Sequence, residues 1–579
     1  MGRGADSLKR RIFRSSLMAI VAGCFVQTGI AGRSDTPVLS AWFVDSLVKV
    51  FPGDAPGTHA LRLPEFNAAR NQHLSVQLAL RSSRPLADLT AEVKPLERGG
   101  SRRLSSVEVH HVAYVVVGSH TPGSPPEELV GDAPWWYPDP LEDFPFELAP
   151  RRSTSIWVTI HVPADAAPGV YAGSVLMRSG GRLVARRPFR VKVVSASVPE
   201  EMSLKVTNWF SLDDKTSRQF YGVPAFSPQW WTLVANVARV LAAHRQNVIL
   251  TPLLTLIQPR IDAGNLVYDF TNFDRWVETF RQAGAIGYIE GSHLLDRAGS
   301  YEAPLLVSTF QIVDGKPQKV SLPPDDPRVE NSLSAFLAAL GTHLKEKAWD
   351  SLYLQHVLDE PHGDEIPYYG RFAGLVHRQM PGIPTIDAID AAHMPEVLQN
   401  NCDVWVPQLG RFDDQMTLLD RRIESGRAVW FYTCLYPQSR YLNRLLDFPL
   451  IKVRLLQWLD FRYGFTGFLH WGGNYWTPKP LLDTQPVIDD NTELLPPGDA
   501  FILYPDREHL SVRSSIRFET MRSGIEDYEI LKALEARDPA AAKAIAASAV
   551  SSFTEYVRDA AAFRKIEQKL LQASAGISH

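Results

Sequence analysis

The stretch HVLDEPHGDE, residues 356 to 365, sets Asp359 and Glu360 side by side, after the apolar run Leu352-Tyr353-Leu354 and directly before Pro361. Two carboxyls this close interact: ionising one makes ionising the other harder, so one keeps its proton to higher pH than usual. A retained proton is what a general acid needs to protonate a leaving oxygen near neutrality, while its neighbour stays charged. Neighbouring side chains of a regular strand point to opposite faces, so both can face one pocket only where the strand has ended. Pro361 suits such an ending, because it has no N–H for a ladder and pushes Glu360 into an extended or turn conformation. An ordinary retaining glycosidase holds acid and nucleophile across the scissile bond, about 5 Å apart. Adjacent residues suit that poorly. They suit substrate assistance better, in which the 2-acetamido group of a sugar attacks its own anomeric carbon. One carboxylate then orients the acetamido N–H and the other is acid and base, an order that Asp359 followed by Glu360 fits.

The elements that must position this pair are legible. From 200 to 537, eight short apolar runs alternate with amphipathic segments: LKVTNWF (204–210), NVILTP (247–252), AIGYIEGSH (285–293), LYLQHVLDE (352–360), TIDAID (385–390), DVWVPQL (403–409), AVWFYTC (428–434) and GFLHWGG (467–473). Segments such as SPQWWTLVANVARVLAAH and FDRWVETFRQAG carry helical spacing between them. The pattern predicts a (β/α)₈ TIM barrel, with Asp359 and Glu360 at the C-terminal end of the fourth strand, on the face that carries chemistry in such barrels. The loop after the third strand is long and has a hairpin signal at Asp314-Gly315. Before the barrel, 36–198 alternates with period two, as in HLSVQLALRSS and SIWVTIHV, which predicts an antiparallel β-sandwich. The proline- and aromatic-rich segment 134–150 interrupts that rhythm and reads as a long loop, at the surface or reaching the neighbouring domain. After the barrel, Asp538-Pro539 opens a C-terminal helical extension, 538–579.

Other candidates follow from position at strand ends. Trp471 would floor a sugar ring or sit in the core, with Tyr475 and Trp476 in the same glycine-rich loop. Trp209, Trp405 and Tyr432 would line the pocket, and Asn208 would bond a hydroxyl or serve a turn. His293 would reach a hydroxyl or be structural, and His356 would belong to the core or stand just behind the residues that touch substrate. Asp387 and Asp390 end the fifth strand; either is a substrate ligand, or the separate nucleophile or base if substrate assistance does not operate. The charged run from Arg517 to Asp527 reads as a structural salt-bridge network, and His362 to Glu365 as a solvated acidic helix start.

LQHVLDEP, GFLHWGGNYW, GDAFILYPD and SIRFETMRSGIEDYEIL together resemble glycoside hydrolase family 123 and the wider bacterial group with domain of unknown function 4091. These motifs span about 350 to 535, and the sandwich-then-barrel order is similar over most of the chain. The resemblance implies a retaining β-N-acetylgalactosaminidase acting by substrate assistance, with Asp359 as polariser and Glu360 as acid/base. Two rivals stay open: a barrel glycosidase on a sugar without an acetamido group, and a non-catalytic surface glycan-binding protein.

Bulk properties narrow the class. A formal net charge of -4 over 579 residues gives no basic surface for nucleic acid. Three cysteines imply no disulfide framework, and Cys402 and Cys434 are expected as buried thiols. No cofactor or metal is expected, since phosphate loops, dinucleotide fingerprints and paired metal-ligand motifs do not occur. Lys9, Arg10, Arg11 and Arg14 precede the apolar SSLMAIVAGCFVQTGIAG, which reads as a signal peptide over 1–32 and predicts export to the periplasm, cell surface or medium. It is too short for a stable transmembrane span, while VAGC also resembles a lipoprotein box, with a lipid anchor at Cys24 as the alternative. The expected partner is a glycan or glycoconjugate.

Overall fold

The structure, a computed structural model, describes residues 39–575 except 101, 413–414 and 488–493. The expected signal peptide and Cys24 lie outside the described residues.

The N-terminal region forms two sheets. One has five strands in the order Leu39–Val44, His73–Ser82, Ser153–His161, Val107–Val117 and Trp135–Glu142. The other has seven, built around Arg182–Ser197, Gly169–Ser179 and Leu86–Val93. Pairing is antiparallel except between Glu65–Arg70 and Arg182–Ser197, which run parallel. The alternation has its expected consequence: Val76, Leu78, Leu80, Ile156 and Val158 of one sheet share a core with Val175, Met177, Phe189 and Val191 of the other. The segment read as a loop is in part a strand, because Trp135–Glu142 pairs with Val107–Val117. Its prolines misled the reading, and they are tolerated because this is an edge strand, where a missing N–H breaks no ladder.

All eight apolar runs become strands: β1 (Lys205–Asn208), β2 (Val248–Thr251), β3 (Tyr288–Gly291), β4 (Tyr353–Gln355), β5 (Ile386–Ile389), β6 (Val404–Pro407), β7 (Phe431–Thr433) and β8 (Gly467–His470). Parallel ladders join β1 to β8, β8 to β7, β2 to β3, β3 to β4 and β5 to β6. Isolated parallel bridges link β4 to β5, at Gln355 to Thr385, and β6 to β7, at Trp405 to Val429 and Gln408 to Tyr432. Asn247 stitches β2 to β1, its side chain accepting from Val206 N at 2.9 Å and donating to Leu204 O at 2.9 Å. A helix follows every strand before the next begins. Ser227 caps Pro228–Ala243 and Asp326 caps Pro327–Glu346, each side chain accepting a first-turn N–H. Between β3 and Pro327–Glu346 stands an antiparallel insertion, Leu295–Arg297, Leu305–Val313 and Lys316–Leu322. Its hairpin turns at Asp314-Gly315, both with positive φ, as the sequence signal requires.

The C-terminal part is helical: Ile516–Glu535, Pro539–Ala549 and Ala560–Ala573. Asp538 caps the second of these through Ala541 N at 3.0 Å. No described helix is long and apolar enough to cross a membrane. From Leu39 onward the chain is one compact unit, and helix Ile516–Glu535 shows how its parts are held together. Arg517 donates to Asp139 of the edge strand at 2.8 to 3.1 Å and to the carbonyls of Arg444, Gly498 and Phe501. Glu519 accepts from Thr159 and His244, Glu526 from His73 and Arg245, and Asp527 from Arg454 and Trp458. The charged run is therefore structural. Arg517 and Asp139 are both fully buried. Arg517→Met would leave Asp139 an uncompensated buried charge, a loss of about 3–5 kcal/mol. A clearly lowered apparent melting temperature is the expected result; an unchanged one would deny the pair its role.

Candidate active site

Strand β4 ends at Gln355, and the next five residues carry the site. Within a strand, successive carbonyls point to opposite sides. Here the carbonyls of Asp359 and Glu360 both accept from the Arg297 guanidinium, at 3.1 Å each, so the chain has turned. The turn is made at Glu360, whose φ is +44°. A left-handed non-glycine residue costs about 1–3 kcal/mol and persists only where its surroundings fix it. Glu360 N also donates to Ala388 O of β5 at 3.1 Å, which ties the turn to the neighbouring strand. The turn is how two consecutive carboxyls come to share a site.

Both carboxyls are half-buried. Burial, reinforced by the charge of Glu360, pushes the Asp359 carboxyl up to about 8. Burial also raises Glu360, against the hydroxyl of Tyr432, which donates to its Oε1 and favours the charged form. The pair thus retains a proton at neutral pH.

Beneath it lies a buried polar chain. His356, fully buried, bonds Glu290 Oε1 through Nε2 at 2.7 Å and Asp387 Oδ1 through Nδ1 at 2.9 Å. The two carboxylates outweigh its burial and push it up to about 10, so it is an imidazolium. Glu290 also accepts from Trp209 Nε1 at 2.9 Å and from Thr207 Oγ1 at 2.9 Å. Asp387 holds Val357 N and the Tyr369 hydroxyl as well. The network therefore runs from β1 through β3 and β4 to β5 and fixes the chain just ahead of Asp359. His293, His356 and Asp387 have ligand atoms within 4.8 Å of one another. Both nitrogens of His356 are already engaged by carboxylates.

An aromatic wall completes the site. Trp209, Tyr432 and Trp471 belong to one cluster with Leu354, Ala388 and Leu469. Trp471 Nε1 donates to buried Asp499 Oδ2 at 3.2 Å, and its ring lies 5.2 Å from that of Tyr475. Burial raises the Tyr475 hydroxyl, and the charges of Asp213, Asp359 and Glu290 add to that. Gly473 lets its loop press onto β1: Gly473 N donates to Trp209 O at 2.7 Å, and a Cβ there would collide with that carbonyl.

Against this geometry stand the comparisons. The glycoside hydrolase 123 catalytic domain profile matches residues 209–534, and the glycoside hydrolase 123 N-terminal domain profile matches 56–179. The chain belongs to glycoside hydrolase family 123. A family 123 glycoside hydrolase from Clostridium perfringens, analysed for glycolipid glycan hydrolysis, superposes with a TM-score of 0.70 at 17% identity, over 93% of this chain and 97% of that one. At that identity the likeness speaks for the fold alone. A Bacteroides ovatus GH5 xyloglucanase (TM-score 0.31, 10% identity, 80% of this chain and 99% of that one) is too distant to carry an argument. The same holds for a family 39 glycoside hydrolase from Bacteroides cellulosilyticus (0.34, 11%, 83% and 82%). No protein of curated function matches the chain.

The candidate site thus brings together Asp359, Glu360, Tyr432, Trp209, Trp471 and His293, the last packed between Trp209 and His356, with Tyr475 beside Trp471. Other expected residues are placed elsewhere. On β6, Val404 and Val406 face the strand interior, so Trp405 faces the helices, where Arg422 covers it at 3.8 Å. Asn208 has the parity opposite to Trp209 and bonds Gln246 at 3.1 Å. Trp476 packs on Phe220 and Tyr221 and donates to Leu503 O. Asp387 is sealed with His356 rather than offered to a ligand, and Asp390 pairs with Arg411 at 2.6 Å. Glu365 does not merely begin a helix, since it pairs with Arg297 at 2.6 Å. Cys402 and Cys434 are buried free thiols, as expected.

Two predictions arise here. Tyr432→Phe removes a hydrogen bond to a charged group, worth about 1.5–3 kcal/mol. A loss of about 10-fold or more in kcat/KM is expected. The alkaline limb of the pH profile should move upward, because the bond holds Glu360 down; a downward shift would contradict it. Asp359→Asn bears on stability. Asp359 titrates near 8 folded against 3.8 unfolded. The folded protein therefore keeps a proton the unfolded chain has released, so stability is lost as pH rises through that window. The variant's melting temperature relative to wild type should be a few degrees higher at about pH 9 than at about pH 4.5. An equal difference at both would deny the shift.

Proposed function

We propose that the protein hydrolyses terminal β-N-acetylhexosaminides, N-acetylgalactosaminides by preference, with retention and by substrate assistance. The reading is carried by one observation: Asp359 and Glu360 share one turn at the end of β4, while the aspartates that could act separately are both engaged. Asp387 is bonded by His356, Tyr369 and Val357 N, and Asp390 by Arg411. The acetamido N–H donates, so it selects the ionised form of Asp359 and leaves the shared proton on Glu360. Glu360 then protonates the glycosidic oxygen as the acetamido oxygen attacks the anomeric carbon. Asp359 balances the positive charge of the oxazolinium, and Glu360 next takes a proton from the water that opens it. Trp471 and Tyr475 supply a wall for the sugar ring.

We read the architecture as a β-sandwich over 36–198, a closed (β/α)₈ TIM barrel over 200–537 and a helical extension from 538. The parallel pairings and the helix after each strand support it. The basic and apolar start of the sequence supports export, lipid-anchored at Cys24 or not. Fluorination of the acetamido methyl tests the mechanism. Each fluorine weakens the acetamido oxygen as a nucleophile, so kcat/KM should fall stepwise from acetamido to trifluoroacetamido substrate. A flat series would refute substrate assistance.

A further inference from the structure

The turn that presents Glu360 is held from outside the strand set. Arg297 belongs to the insertion after β3, 62 residues before Asp359. Its guanidinium bonds the Asp359 and Glu360 carbonyls at 3.1 Å each and takes Glu365 as a bidentate partner at 2.9 and 2.6 Å. Glu365 in turn accepts from His362 N at 3.2 Å. Tyr301 of the same insertion lies over the guanidinium at 4.6 Å and stacks on His362 at 4.7 Å. Arg297 and Glu365 thus grip the segment 359–365 at both ends, around Glu360, its one non-glycine residue with a left-handed φ. Lysine could not reproduce this, since the grip uses a planar fork with several donors in fixed directions.

We propose that Arg297, with Glu365 as its anchor, is the positioning residue for the acid/base, holding Glu360 in the conformation that aims its carboxyl at the leaving oxygen. The proposal rests on the assignment of Glu360 made above. Without the clamp the turn can relax toward ordinary backbone angles, and a displacement of about 1 Å at a reacting group is costly. The loss should appear where acid assistance matters and be small where the leaving group departs unaided.

The test compares kcat/KM of wild type, Arg297→Met and Glu365→Gln on two β-N-acetylgalactosaminides, one with an alkyl or sugar aglycone and one with a dinitrophenyl aglycone. Because kcat/KM runs from free enzyme and substrate to the first irreversible step, it reports binding and bond cleavage and excludes the later attack of water. Arg297→Met should lose about 100-fold on the poor leaving group and only a few-fold on the good one, with Glu365→Gln following more weakly. Equal losses on both substrates, or none on either, overturn the proposal; if Arg297→Met does not fold, Glu365→Gln decides it by the same criterion. A matched galactoside run with wild type separates the two readings. Cleavage confined to the acetamido sugars with equal variant losses refutes the clamp alone, whereas wild-type cleavage of the galactoside at a similar rate refutes substrate assistance and leaves the clamp to the leaving-group comparison. Wild-type silence on every substrate refutes both.

Discussion

Glu360→Gln should lower kcat/KM on a substrate with a sugar aglycone by about 10²–10⁴-fold, with the protein folded as before. Glutamine preserves the shape of the side chain and can still accept from the Tyr432 hydroxyl. It cannot deliver a proton to the glycosidic oxygen. The deficit should shrink as the leaving group improves, because a nitrophenolate needs little help to depart. Turnover of such an activated substrate should then stall at the second step, where Glu360 must take a proton from water. Azide, which needs no deprotonation, should restore it and yield a glycosyl azide. A fully active variant on the natural type of leaving group would remove Glu360 from the mechanism.

Asp359→Asn should cost about 10²–10³-fold, and on all leaving groups alike. Asp359 acts on the attacking acetamido group, not on the departing oxygen. Its negative charge balances a cation in a half-buried setting, where a missing countercharge is felt strongly. The amide of asparagine can also present an N–H to the acetamido N–H, two donors facing each other. The contrast between a leaving-group-dependent loss at Glu360 and a uniform loss at Asp359 is what divides the pair into two roles. A loss at Asp359 that vanished with good leaving groups would make it a second acid instead.

The strands were legible because each is a short continuous apolar run, the pattern of a strand buried on both faces. The Asp359-Glu360 pair was legible because adjacency itself raises the question of how two carboxyls share a site. Partnerships across the sequence were not. His356 reads locally as a core histidine, and its charge depends on Glu290, 66 residues away, and Asp387, 31 away. Arg297 carries no local signal and Glu365 reads only as part of an acidic helix start, and the fold brings the two, 68 residues apart, together at the turn. Trp405 is a pocket candidate by its place near a strand end, and Asn208 a pocket or a turn residue, but parity along a strand decides direction, and one residue of register sends a side chain to the opposite face. Trp135–Glu142 escaped notice as a strand because its prolines argue against a central strand and are silent about an edge.

The central claim is that the sugar's own acetamido group is the nucleophile. Its most direct test is release of nitrophenol by the wild-type protein from the β-N-acetylgalactosaminide and, in parallel, from the β-galactoside, which differ at the 2-position alone. Cleavage of the acetamido sugar with the galactoside left intact is the predicted result. Comparable cleavage of both would mean that the attacking group comes from the protein or from water, and would contradict the account.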